Sequence, residues 1–301
     1  MSANRFAAMM ALVALAGCAK PEAAPAALQI ADASPAAKLT ACAGKDGWSD
    51  AAPPAHVFAN VYDVGSCGIT VLLIASDAGH ILIDGATSEA APGILANIRA
   101  LGLDPVDVRI LINSHEHLDH AGGLAALKAA TGARMIARAE AKPGLETGLA
   151  GAGDPQAGVN EPFPGVVVDQ IVTDGETIRL GPIALTAHAT PGHTPGSTSW
   201  TWQSCDGDTC RAMAYVDSLT AISADEYRFT DHPDYVAAFR DTLDRIDGFD
   251  CEILITPHPG ASNLRERMAG KAPLVDPTGC RTYAQAARVR LDARLAKEKN
   301  Q

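Results

Sequence analysis

Short, β-branched or wholly apolar runs alternate along this chain with stretches whose apolar residues recur at helical spacing. Residues 57–64, 68–75 and 80–84 are apolar runs broken by Gly, Ser and Asp, which predicts strands joined by tight turns. Residues 88–101 place Ile94, Leu95, Ile98 and Leu101 on one helical face, and 106–112 is an apolar strand without alternation, as expected of a strand covered on both sides. A helix over 124–130 and a strand over 133–137 follow, and the Gly- and Pro-rich stretch 140–165 predicts a long loop holding one short helix. The pattern then restarts. Strands are predicted at 166–172, 176–180, 183–187, 199–203, 212–216 and 253–255, with helices at 233–246, 263–268 and 283–297. Two similar halves of interleaved strands and helices predict an α/β fold of two sheets covered by helices, with the chemistry at strand ends.

The first 38 residues stand apart from this pattern. Arg5 and the apolar run 6–16 read as an export signal over 1–18, too short to span a bilayer as a stable helix. Leu15-Ala16-Gly17-Cys18 resembles a bacterial lipobox, which makes Cys18 the expected lipidation site; cleavage without lipid is the alternative. The mature protein is thus expected in the periplasm, with Cys18 anchoring it to the outer membrane where it carries lipid. Residues 19–38, rich in Ala and Pro, read as a tether, so the folded domain is expected over 39–301.

With 301 residues, 47% of them hydrophobic, the chain can build a sizeable core, whereas a net charge of -11 without a basic stripe argues against a nucleic-acid partner. Setting Cys18 aside, six of the seven cysteines remain, an even number that suits disulfides in an exported chain. Cys205 and Cys210 flank a four-residue turn between two strand-like runs, so a hairpin would bring them together. Local spacing leaves the pairing of Cys42, Cys67, Cys251 and Cys280 open.

The densest chemistry lies at residues 113–123, directly after the strand over 106–112. Here His115, His117, Asp119 and His120 fall within six positions, ahead of a helix. Residues two apart in an extended segment point the same way, so His115 and His117 can share one ion, while the turn into the helix swings Asp119 and His120 toward a second. Two further histidines, His193 in Thr190-Pro191-Gly192-His193 and His258 in Thr256-Pro257-His258-Pro259, sit where strands give way to Gly- and Pro-rich turns and complete the candidate ligands.

This set of residues resembles the metallo-β-lactamase superfamily, whose four-layer αββα sandwich holds one or two zinc ions between its sheets. The likeness runs from about residue 55 to 270. The segments 113–117, 190–200 and 215–220 are similar to those of subclass B3, and Ser218 stands where subclasses B1 and B2 carry a zinc-ligating cysteine. The resemblance implies two zinc ions per chain, one on His115, His117 and His193, the other on Asp119, His120 and His258. It implies hydrolysis of the amide bond of a small-molecule β-lactam by metal-activated water, with Asp119 as the catalytic residue that orients the water and passes a proton to the leaving nitrogen. Ser218 and Thr220 are then expected to bind the substrate carboxylate, although Thr220 replaces a serine common in B3 enzymes. The same resemblance implies a Cys251–Cys280 disulfide and suggests Cys42–Cys67. Asp217 is open to two readings, a metal-bridging aspartate as in glyoxalase II or a non-ligand as in B3 enzymes; Ser218 and its flanking segments favour the second.

Other residues are assigned plainer roles. Glu116 is expected to face away from the ligands, at the surface or behind them; His188 to be a hydrogen-bonded structural histidine; Asp84 to orient a ligand histidine. His56, His80 and His232 are expected at the surface, and Trp200 and Trp202 in the packing. A thioester or lactone hydrolase of the same superfamily is the alternative enzyme, although glyoxalase II adds a C-terminal helical region and only 43 residues follow His258. A zinc-binding lipoprotein without activity is the alternative of another class, and it would need closed coordination.

Overall fold

The computed structural model describes residues 28–300. Seven strands form the first sheet in sequential order: β1 (Ala55–Phe58), β2 (Val61–Asp63), β3 (Leu72–Ile74), β4 (His80–Ile83), β5 (Val108–Ile112), β6 (Arg134–Ala137) and β7 (Gln170–Ile171). The strands from β1 to β4 pair antiparallel, and those from β4 to β7 parallel. The second sheet has the order β12-β11-β10-β9-β8, with β8 (Thr177–Leu180), β9 (Ile183–Ala189), β10 (Thr198–Asp206), β11 (Thr209–Tyr215) and β12 (Ile253–Ile255). The helices are α1 (Pro35–Ala41), α2 (Ala91–Ala100), α3 (Leu118–Ala121), α4 (Leu124–Thr131), α5 (Lys142–Thr147), α6 (Pro233–Asp247), α7 (Leu264–Met268) and α8 (Gly279–Lys299).

Strand alternation sorts the side chains into three apolar layers. Leu72, Ile74, Ile81, Ile83, Ile110 and Ile112 meet Trp200, Trp202, Met213, Tyr215, Ile253 and Ile255 in a core between the sheets. Their neighbours Leu73, Leu82 and Leu111 point outward, against Ile94 and Ile98 of α2 and Leu124 and Leu127 of α4. On the other side Ala214 and Leu254 meet Phe239, Leu243 and Ile246 of α6 and Ala284, Ala287 and Leu291 of α8. Helix, sheet, sheet and helix therefore stack as the expected αββα sandwich. Trp200 and Trp202 lie in its packing, as expected.

Several expected elements are shorter. The run 57–64 is a hairpin rather than one strand, because Ala59 takes a left-handed backbone (φ 49°) between β1 and β2. The run 166–172 alternates correctly, burying Val166 and Val168, but its first amides leave the ladder: Val166 N–H donates to Leu145 O (2.7 Å) and Val168 N–H to Glu146 Oε1 (3.1 Å).

The ordered fold begins before the expected boundary at Leu39. Ala31 N–H donates to Leu101 O and His56 N–H to Ala33 O, both at 2.9 Å, and Ser34 caps α1 ahead of Pro35. The Ala- and Pro-rich composition read as a tether conceals this cap and the buried Lys38. Its ammonium lies 2.8 Å from Asp63 Oδ2 and donates to Gly65 O (3.1 Å). Burial lowers the Lys38 pKa, and Asp63 opposes the shift. Residues 1–18 with Cys18, and 19–27 of the expected tether, lie outside the described residues.

All three expected disulfides are formed: Cys42–Cys67, Cys205–Cys210 across β10 and β11, and Cys251–Cys280 between the approach to β12 and α8. Of the histidines expected at the surface, His232 is exposed and His56 half-buried. His80 is instead buried at the start of β4, where its Nδ1 lies 3.4 Å from Ser76 N. His188 is structural, 2.7 Å from Thr201 Oγ1 and against Phe249.

Replacing Lys38 by Ala should strand the Asp63 carboxylate and cost about 3–5 kcal/mol of unfolding free energy, measured by denaturant titration with the disulfides intact. A loss below about 1 kcal/mol would mean that the pair is solvated.

Candidate metal centre

The C-terminal ends of β4, β5, β9, β11 and β12 converge on one rim of the sandwich, each feeding a turn that carries polar side chains. β5 runs into His115 and His117, and α3 carries Asp119 and His120. The turn after β9 supplies His193, that after β11 Asp217, Ser218 and Thr220, and that after β12 His258. The structure thus brings together all six predicted ligands. His115, His117 and His193 form one group whose ligand atoms lie within 4.8 Å of one another, and their rings meet edge-on with centroids 4.7–5.0 Å apart.

The second group is tighter. Asp119 Oδ2 is 3.2 Å from His120 Nε2 and 3.3 Å from His258 Nε2, and the two Nε2 atoms are 3.3 Å apart. Bonds of about 2.0 Å at tetrahedral angles would set ligand atoms about 3.3 Å apart, so these edges are compatible with one ion, at lengths that hydrogen bonds between the same atoms also give. His115 also reaches Asp119 and His120 within 4.8 Å, but Asp119, His120 and His258 make the more compact triangle.

Partners behind each ring select the free nitrogen. His115 Nδ1 is 2.8 Å from Asp217 Oδ1, and its Nε2 is buried without a hydrogen-bond partner. His193 Nδ1 lies 2.9 Å from Thr220 Oγ1 and 3.2 Å from Thr220 O, so Nε2 again faces the centre. His117 is the reverse: its Nε2 donates to Asp154 Oδ2 at 2.8 Å and leaves Nδ1. Burial, and then neighbouring imidazoles, depress the pKa of His115 and push that of His193 down to about 3, so both rings are neutral, the form that binds metal. At the second group burial opposes charge but loses to pairing. Asp119, against His120, is held well below the usual carboxylate range, and His120 is raised to about 10 by Asp119 and Asp84.

Asp84 takes the expected orienting role, 3.3 Å from His120 Nδ1. Its carboxylate also accepts from Ser114 N (2.6 Å), Ser114 Oγ (2.7 Å) and Tyr215 Oη (2.7 Å). Burial and Asp84 raise the Tyr215 pKa well above the phenol range, so this hydroxyl remains a donor. Glu116 faces away from the centre, but it is 4% exposed rather than at the surface. It accepts from Thr194 Oγ1 (2.8 Å) and Gly196 N (3.0 Å), tying the His193 turn to the segment that carries His115 and His117; burial lifts its pKa to about 7.

Known proteins resemble this chain in sequence and fold. The sequence profile of the metallo-beta-lactamase superfamily matches residues 64–207. The metallo-β-lactamase MIM-1 from Novosphingobium pentaromativorans superposes with a TM-score of 0.86 at 53% identity, covering 88% of this chain and 98% of that one. MEM-A1, a subclass B3 metallo-β-lactamase from a soil metagenome library, gives a TM-score of 0.81 at 41% identity, covering 84% of this chain and 99% of its own. This chain belongs to the B3 metallo-β-lactamases. More distantly, the hydroxyacylglutathione hydrolase of Anaeromyxobacter dehalogenans is 27% identical over 222 residues, 72% of this chain and 70% of that protein.

In this B3 chain the donor set, not cavity size, locates the site. A cavity of about 770 Å³ lies toward the other end of β10, where Asn60, Trp202 and Asp206 line it. Sequence reasoning missed Asp154 and Tyr215. Asp154 lies in a Gly-rich loop with no ligand motif, and nothing in the surrounding sequence marks it; Tyr215 figures only as part of the segment 215–220.

Asp84→Ala should leave the Ser114 amide and hydroxyl short of an acceptor, at about 1–3 kcal/mol for each unsatisfied group, and remove the carboxylate beside His120, while Tyr215 Oη keeps Thr70 O as an acceptor at 3.0 Å. We expect zinc affinity, measured by competition with a chromogenic chelator, to fall roughly 10- to 100-fold.

Proposed function

We propose that the protein is a zinc-dependent β-lactamase that opens the β-lactam amide of penicillins, cephalosporins and carbapenems and so confers antibiotic resistance. The observation that carries this reading is the Asp119–His120–His258 triangle, with 3.2–3.3 Å edges, beside the three-histidine group. These two groups would hold two ions, His115, His117 and His193 one, and Asp119, His120 and His258 the other. Zinc bound there would supply Lewis acidity for the lactam carbonyl and lower the pKa of water toward about 7.

The chain's own residues would do the rest. In the reaction a water oxygen adds to the carbonyl carbon, the ring C–N bond breaks, and a proton reaches the nitrogen. Asp119, ionised beside His120, would orient the water and carry that proton. Ser218, buried at the end of the β11 turn, would donate to the substrate carboxylate. Thr220 can accept from His193 Nδ1 through its oxygen and still donate its own hydroxyl proton to the same carboxylate.

A thioester or lactone hydrolase is the second reading, which hydroxyacylglutathione hydrolase and N-acyl homoserine lactonase relatives favour at 27–32% identity. The contact of Asp217 Oδ1 with His115 Nδ1 favours an orienting aspartate over a bridging one and supports the lactamase. Three ligands per ion leave coordination open, which favours an enzyme over a structural zinc protein. We also place the mature protein in the periplasm, held at the outer membrane by lipid on Cys18.

Purified protein lacking residues 1–18 should bind two zinc ions per chain by elemental analysis and hydrolyse a carbapenem and a penicillin until a chelator is added. Two bound ions without turnover of either would favour the thioester or lactone reading. Cys18→Ser should move the protein from the membrane to the soluble periplasmic fraction; an unchanged distribution would reject the lipid anchor.

A further inference from the structure

The loop between α5 and β7 reaches the metal centre through a single side chain. Its base closes where Phe163 N–H donates to Gly148 O (3.0 Å), and Gly151, Ala152, Gly153, Gly158 and Val159 are exposed. Between them Asp154, Pro155 and Gln156 are buried, Asp154 at 2% exposure. Little apolar surface holds this stretch down; its anchors are polar. Ala224 N–H donates to Pro155 O (2.8 Å), and Asp154 meets His117.

Asp154 is built for that contact. Its Oδ1 accepts the Gln156 amide (2.7 Å), its own N–H donates to Gly151 O (2.9 Å), and its carbonyl accepts from Ala157 N (3.0 Å). With the backbone fixed on both sides, Oδ2 is left for His117 Nε2 at 2.8 Å. A carboxylate can only accept, so the proton resides on Nε2 and the His117 lone pair on Nδ1. His115 and His193 present Nε2 instead. Their partners, Asp217 and Thr220, come from the turn after β11, whereas the partner of His117 comes from the long loop.

We infer that Asp154 is a positioning residue that couples docking of the loop over residues 149–162 to metal binding at His115, His117 and His193. The inference rests on the assignment of His117 as a ligand. Fixing the His117 tautomer and ring orientation raises affinity for the ion, and by linkage an ion on Nδ1 strengthens docking of the loop. The loop that borders the centre thereby senses whether metal is bound.

The test uses the chain lacking residues 1–18 in three variants, Asp154→Ala, Asp154→Asn and His117→Ala. Zinc affinity is measured by chelator competition, the ligand field by visible absorption of the cobalt-substituted protein, and loop docking by amide hydrogen exchange with and without zinc. In the parent, zinc should slow exchange across 149–162. Asp154→Ala should weaken zinc binding roughly 10- to 100-fold, change the cobalt spectrum and abolish that protection, with exchange in the sheets unchanged. Asp154→Asn, which keeps an acceptor, should recover most of the affinity. Unchanged affinity and protection in Asp154→Ala, with His117→Ala impaired, would overturn the coupling alone. Unchanged affinity in His117→Ala as well would overturn the ligand assignment and the coupling with it.

Discussion

Three donors, the Ser114 amide and hydroxyl and Tyr215 Oη, converge on the carboxylate of Asp84, with His120 Nδ1 3.3 Å away, and they tie one sheet to the other at the rim. Asp84 ends β4 with a left-handed backbone (φ 69°), a conformation that non-glycine residues adopt at a cost of about 1–3 kcal/mol. The strain turns its side chain back over the rim. There it accepts from the Ser114 backbone and hydroxyl of the first sheet, from Tyr215 of the second, and lies against His120. A buried carboxylate is costly unless its lone pairs are filled, so this arrangement is stable only with both sheets in place.

The rest of the rim follows the same rule. Thr198 N–H donates to Ser114 O (2.7 Å), Trp200 Nε1 to Asn113 O (3.0 Å) and Thr70 N–H to Pro257 O (2.7 Å), each linking one sheet to the other beside a ligand. Apolar alternation holds the sheets together below, and hydrogen bonds fix their register above. These bonds fix the turns that carry the candidate ligands relative to both sheets.

The strand and helix pattern disclosed the four layers, because burial on one face leaves a period in the sequence. The six candidate ligands were equally legible: they sit in or just after turns that follow strands, in local motifs whose residue types have few other uses. What the sequence hid was whatever depended on distant partners. Lys38 read as part of a tether because its value lies in Asp63, 25 residues on. Glu116 read as surface or backing because its partners Thr194 and Gly196 are far along the chain. Asp217 was ambiguous because its partner His115 lies 102 positions away. Only the αββα resemblance gave Cys42–Cys67 and Cys251–Cys280 their partners, whereas Cys205 and Cys210 could be paired from the hairpin itself.

The same distinction separates the two halves of the metal centre. At His120 and His193 the partners lie in the sandwich frame, in Asp84 after β4 and Thr220 after β11, and they are held by the packing that holds the fold. At His117 the partner lies in a loop whose own packing is thin, so its order and that of the ligand are joined by one hydrogen bond. Frame-held ligands stay oriented as long as the protein is folded. A loop-held ligand is oriented only while the loop is docked, and the free energy of docking, small compared with that of folding, is then within reach of whatever binds at the rim. Sequence variation in the exposed Gly-rich segment can therefore tune a metal ion held by His117 without touching the core.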